Sequence, residues 1–140
     1  MISLSFDLEF NYRPLNVTEG ATNLPAIPIT LVGLDDAQID TIALVDTGAR
    51  GCLFKGELAR IIGITDILAG REETVRGLGG GSIKGYFHQI AIRINNSKFS
   101  LDAGFTMSDI AYNILGGTFL AHVQLGVREH HEKLYISPIP

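Results

Sequence analysis

Asp46 is the residue whose surroundings best suit chemistry. It closes the run Ile42-Ala43-Leu44-Val45-Asp46-Thr47-Gly48-Ala49. An apolar strand leading directly into a carboxylate holds that carboxylate in place, and a glycine two residues later lets another backbone approach closely. The Thr47 hydroxyl can donate or accept a hydrogen bond, fixing the turn or meeting a second chain. The plainer reading is a turn aspartate, since Asp and Gly are ordinary turn residues. Other reactive side chains are sparse. Cys52 is the sole cysteine, which excludes an internal disulfide and a cysteine-rich zinc site. Its apolar neighbours predict a small buried hydrophobe. Of His88, His122, His130 and His131, the adjacent pair falls at an expected hairpin tip, where neighbouring strand side chains face opposite ways. No metal site and no cofactor are expected.

The elements that must position Asp46 follow from periodicity. Residues 2–10 alternate apolar and polar, predicting a strand with one buried face. Residues 11–25 read as a loop. Residues 27–34 and 39–45 predict two strands joined at Asp35-Asp36, the second buried on both faces because Ile-Ala-Leu-Val is continuously apolar. Leu53-Phe54 predicts a short strand, and residues 55–62 a short helix capped by Gly63. Residues 72–94 predict a long hairpin with its tip at Gly77-Leu78-Gly79-Gly80-Gly81, where consecutive glycines permit positive φ and large motion. A strand over residues 99–105, the segment 113–117 leading into a helical turn at 118–123, and a hairpin over 125–136 complete the chain.

With 140 residues, 46% of them apolar and 16 of them glycine, the composition predicts one β-rich domain able to bury a core. The net charge is −4, and Lys and Arg are scattered, so no nucleic-acid footprint is present. No apolar run reaches the roughly 18 residues of a membrane span, and the N-terminus lacks the pattern of a signal peptide. A soluble, cytoplasmic protein is expected.

Three segments together resemble the retropepsin-like aspartic proteases, the single-domain relatives of pepsin. Val45-Asp46-Thr47-Gly48-Ala49 resembles that family's catalytic loop. The hairpin tip with Leu78, Gly79, Gly80 and Gly81 resembles its substrate-covering flap. Ile114-Leu115-Gly116 resembles the hydrophobic-hydrophobic-Gly element that packs behind the loop. The three occur in the family's order and span residues 27 to 136. The resemblance implies an all-β fold with one or two short helices, a closed β-barrel of the acid protease type. It implies one domain over residues 1–140, with 27–136 as core and 1–26 as an N-terminal strand and loop extension. Arg50 and Gly117 depart from the pattern, which favours a small polar or acidic residue at the first position and Arg or another polar residue at the second.

Aspartic proteolysis needs two adjacent carboxylates, and this chain has a single Asp-Thr-Gly. The resemblance therefore implies a homodimer in which each subunit gives its Asp46, acting on a polypeptide in extended conformation. Two other functions fit the same features: a non-catalytic dimerisation or peptide-binding module, and a protease matured by self-cleavage near residues 13–26.

Overall fold

The computed structural model describes residues 5–15, 22–77 and 81–139. Twelve strands and two short helices occur among them, in the order β1 (Leu8–Asn11), β2 (Arg13–Pro14), β3 (Asn23–Leu24), β4 (Ala26–Val32), β5 (Gln38–Val45), β6 (Cys52–Lys55), α1 (Gly56–Ile61), β7 (Arg71–Arg76), β8 (Ser82–Ile94), β9 (Ser97–Thr106), β10 (Asn113–Leu115), α2 (Gly117–Leu120), β11 (Val123–Arg128) and β12 (Lys133–Pro138). The all-β expectation with two short helices is met.

The main sheet closes on itself. Its pairing runs β4-β5-β10-β6-β9-β8, and β8 returns to β4 through Thr30↔Arg93, Leu31↔Ile92 and Val32↔Ala91. Closure covers most of the edges that an open sheet would offer to other chains; β7 extends the sheet from β8 and has no second strand partner among the described residues. The interior is apolar: Ile27, Leu31, Phe54, Ile92, Phe105 and Leu115 are fully buried. The Phe54 and Phe105 rings meet at 5.8 Å between centroids. Each such side chain contributes about 1.5–3 kcal/mol by leaving water. A separate three-stranded sheet, β1-β12-β11, lies beside the barrel.

Local signals explain the connections. β4 and β5 are joined through Leu34–Asp36, where Asp35 and Asp36 take φ of 52° and 59°. Short polar side chains tolerate this left-handed region better than most. Helix α1 ends as its sequence predicts. Gly63, at φ 91°, donates to the Arg60 carbonyl at 3.1 Å, and Ile64 donates to the Ala59 carbonyl at 2.9 Å. These two bonds form a Schellman cap.

Besides the expected loop of residues 11–25, within which β2 and β3 pair through Arg13↔Leu24 and Pro14↔Asn23, two expectations require correction. The alternation of residues 2–10 predicted a strand throughout, but among the described residues of that stretch pairing starts at Leu8, opposite Ile136. Further on, the Asp7 N–H turns to the Ser137 hydroxyl at 2.9 Å, and the next partner along β12 is Pro138, which has no N–H. Residues 1–4 lie outside the described set. The second correction concerns β5, expected to be buried on both faces. Ala43 and Val45 point into the core, but Ile42 is 37% exposed and Leu44 only half-buried. The barrel covers the inner face of β5, whereas its neighbours β4 and β10 bond to its edges and leave the outer face uncovered.

Gly63→Ala is expected to lower unfolding free energy by about 1–2 kcal/mol, the cost of a side chain in the left-handed region. A Cβ there would also lie 3.2 Å from the Leu34 Cβ. Urea titration should show an earlier midpoint with an unchanged slope; an unchanged midpoint would contradict the capping role.

Candidate functional site

The backbone hands β5 over to the Asp46 loop through two bonds. Val45 donates to the Pro25 carbonyl at 2.8 Å, and Asp46 donates to the Leu115 carbonyl at 3.0 Å. The chain then turns. The Gly48 N–H donates to Asp46 Oδ1 at 2.9 Å, and Ala49 N–H to the Asp46 carbonyl at 3.2 Å. The first of these bonds sets the rotation of the carboxylate, while Oδ2 has no protein partner among the described residues. Asp46 is half-buried, and Thr47 and Gly48 are exposed. The turn is thus held by the Asp46 side chain and not by the Thr47 hydroxyl.

Strand β10 backs this loop. Ile114 and Leu115 pair in parallel with Leu44 and Val45, and Ile114 pairs on its other edge with Leu53. A Cβ on Gly116 would collide with the Gly51 carbonyl oxygen and lie 2.7 Å from that of Ala49. Glycine is therefore required there by space alone. Helix α2 continues the clamp, with Gly117 N–H donating to the Ala49 carbonyl at 2.8 Å and Thr118 N–H to that of Arg50 at 3.0 Å. The departure at Gly117 has a local cause, since a Cβ there would lie 2.9 Å from the Arg50 carbonyl oxygen. Asn113, 5% exposed, ties three strands together. Its Nδ2 donates to the Thr41 hydroxyl and the Ile42 carbonyl, both at 3.1 Å, and its Oδ1 accepts from the Lys55 N–H at 2.9 Å.

Cys52 lies behind the loop, fully buried, with Sγ 3.5 Å from the Thr118 hydroxyl. Burial pushes its thiol pKa up. The small-hydrophobe expectation agrees with this placement.

The loop opens into a cleft of about 930 Å³. Asp46 and Gly48 line it, and the β7–β8 hairpin contributes Val75, Arg76, Ile83 and Phe87. Gly77 donates to the Gly81 carbonyl at 3.1 Å, closing the base of the hairpin tip, and both glycines line the cleft. Leu78, Gly79 and Gly80 of the expected flap lie outside the described residues. Arg71, Phe87 and Asp102 also line this cleft, and sequence reasoning missed all three. Arg71 pairs in register with Phe87, its guanidinium lies 5.3 Å from the Phe87 ring centre, and it reaches across to Asp102 at 2.5 Å and Glu73 at 3.2 Å. The hydrogen bond to Asp102, then that to Glu73, raises the Arg71 pKa. No spacing along the chain signals this cluster, because lateral strand pairing brings it together.

The histidines stand apart. His88 Nε2 is 2.7 Å from the Ile67 carbonyl, His122 stacks on Phe99, and His130 and His131 occupy the exposed turn between β11 and β12. Among the described residues no three metal-ligating side chains gather. No described helix is long and apolar enough to cross a membrane.

No protein-family profile matches the chain, and no curated protein matches it in sequence. Solved structures do match. One is the EIAV protease complexed with the inhibitor HBY-793, at a TM-score of 0.53 and 19% sequence identity, over 75% of this chain and 92% of that one. The fold is that of a retroviral protease. At this identity the likeness is one of architecture.

Two outcomes test the site's construction. Gly116→Ala should destabilise the protein by about 1–3 kcal/mol, as overpacking against held carbonyls does, and a thermal melt that does not move would contradict the clamp. Because the raised pKa keeps Cys52 as the unreactive thiol, a disulfide reagent near pH 8 should modify the native protein far more slowly than the urea-unfolded chain. Equal rates would contradict its burial.

Proposed function

We propose that this chain is an aspartic endopeptidase that acts as a homodimer, each subunit supplying its Asp46. The observation that carries this reading is the placement of Asp46. It is a half-buried carboxylate on a loop clamped from behind, lining a large cleft, in a retroviral protease fold. The exposed Thr47 and Gly48 beside it leave room for a second, identical loop to approach. In this reading residues 1–140 form one domain, Thr47, Gly48 and Ala49 shape the catalytic loop, and Ile114, Leu115 and Gly116 support it. Leu78, Gly79, Gly80 and Gly81 form the flap.

The mechanism follows from electrostatics. Two carboxylates close together cannot both ionise, so they share one proton and titrate as a unit. The ionised member accepts a proton from water, which attacks the scissile carbonyl. The protonated member donates to that carbonyl oxygen. The tetrahedral intermediate then expels the amine, which takes up a proton as it leaves. The hairpin adds strand-like hydrogen bonds to an extended substrate and excludes water from it.

Asp46→Asn is expected to reduce peptide cleavage by at least about 100-fold while the sedimentation coefficient stays that of a dimer. Specific activity of the native protein should also fall on dilution, as dimers dissociate into halves of a site. Native protein that binds extended peptides but cleaves none across the acidic range would point to a non-catalytic peptide-binding module.

A further inference from the structure

Two guanidinium groups in the cleft form no ion pair among the described residues. Arg71 is engaged by Asp102 and Glu73, whereas Arg50 and Arg76 form no ion pair among the described residues. Both are exposed, and both line the cleft that holds Asp46. They stand on different walls. Arg50 is on the Asp46 loop, its carbonyl held by the Thr118 N–H, so its backbone is anchored while its side chain can reach outward. Arg76 is the last residue of β7, paired with Ser82 at the foot of the hairpin tip. The same lining includes apolar side chains, Leu53, Val75, Ile83 and Ile114. The formal charges of the lining balance, Arg50, Arg71 and Arg76 against Asp46, Glu73 and Asp102, but with Glu73 and Asp102 both engaged by Arg71, Arg50 and Arg76 are left as cations without an ion pair among the described residues.

We infer that Arg50 and Arg76 form an anion-selecting subsite, so that preferred substrates are extended peptides with apolar residues at the cleaved bond and Glu or Asp within about four residues of it. The inference rests on the protease reading above. Its reach follows from chain geometry. Arg50 is four steps along the chain from Asp46, a span of at most about 14 Å, and an extended substrate advances about 3.3 Å per residue. The guanidinium fork accepts a carboxylate through two parallel hydrogen bonds, which gives direction as well as attraction. In a symmetric dimer the same pair recurs on the other side of the bond.

The test is a set of paired peptides with an apolar centre, differing only by Glu or Gln at each of the four positions on either side, cleaved by the native protein near pH 5.5. The kcat/KM ratio of Glu to Gln should reach roughly 5- to 10-fold at one or more positions, as expected for a charge-assisted contact in a partly enclosed cleft. It should approach one near pH 3, where the substrate's Glu, of ordinary pKa about 4.3, is protonated. It should also shrink in about 0.5 M salt. In the double variant Arg50→Gln, Arg76→Gln the ratio should fall close to one, and Arg50→Glu, Arg76→Glu should favour Lys over Gln. Each ratio compares two substrates of one enzyme, so a general loss of activity cancels. A native ratio within about two-fold of one at every position, or a ratio the double Gln variant leaves unchanged, overturns the inference and leaves the protease reading standing. No cleavage of any peptide overturns the protease reading and this inference with it.

Discussion

The Asp46 loop depends on a three-residue strand. β10 lies between β5 and β6, parallel to one and antiparallel to the other, and so fixes both ends of the segment that carries Asp46. Gly116 then packs directly on the carbonyls of Ala49 and Gly51, and the first N–H groups of α2 bond back to Ala49 and Arg50. A loop held at both ends and from behind has little freedom to rearrange, which is the requirement for a group that must stay in position. Asn113 closes this arrangement by using both Nδ2 donors and its Oδ1 acceptor within the protein, bridging β5, β10 and the end of β6. A buried amide left half-satisfied there would cost about 1–3 kcal/mol, so the same residue that joins the strands also penalises their separation.

The long strand β8 links that rigid floor to the hairpin above it. One edge pairs with β9 from Tyr86 to Ile94. The other is divided, with Ser82 to Phe87 pairing to β7 and Ala91 to Arg93 pairing to β4. The barrel therefore closes on the second half of β8, and the first half projects with β7 over the cleft. Arg71, laid along Phe87 and bonded to Asp102, braces the root of that projection. Exposed ion pairs of this kind contribute little to global stability. Here they engage Arg71 with Asp102 and Glu73, while Arg50 and Arg76 form no ion pair among the described residues.

Gly117 and Arg50 are connected by the same packing. The Arg50 carbonyl accepts from Thr118 and lies where a Cβ on Gly117 would press, so the small residue at 117 and the backbone path through 50 belong to one local solution. That solution leaves the Arg50 side chain facing the cleft. Under the proposed protease reading, one departure from the family pattern shapes the loop and the other shapes what the cleft selects.

Several features were legible in the sequence because they depend on near neighbours. The apolar run ending at Asp46, the cap at Gly63, the hairpins on either side of residues 77–81 and 129–132, and the burial of Cys52 all follow from local periodicity and turn chemistry. The resemblance to retropepsins placed Gly116 behind the loop, and the structure supplied the steric reason. Other features required register between distant strands. The sequence could not show that Arg71, Phe87 and Asp102 meet, that Ile42 faces outward, that pairing of β1 begins only where β12 can offer an N–H, or that β8 returns to β4. Side-chain alternation states which residues share a face; only the pairing of strands far apart in the chain decides what that face meets. Asp46 was thus determined as a candidate by its own segment, while its cleft, its clamp and the charges around it were decided by tertiary structure.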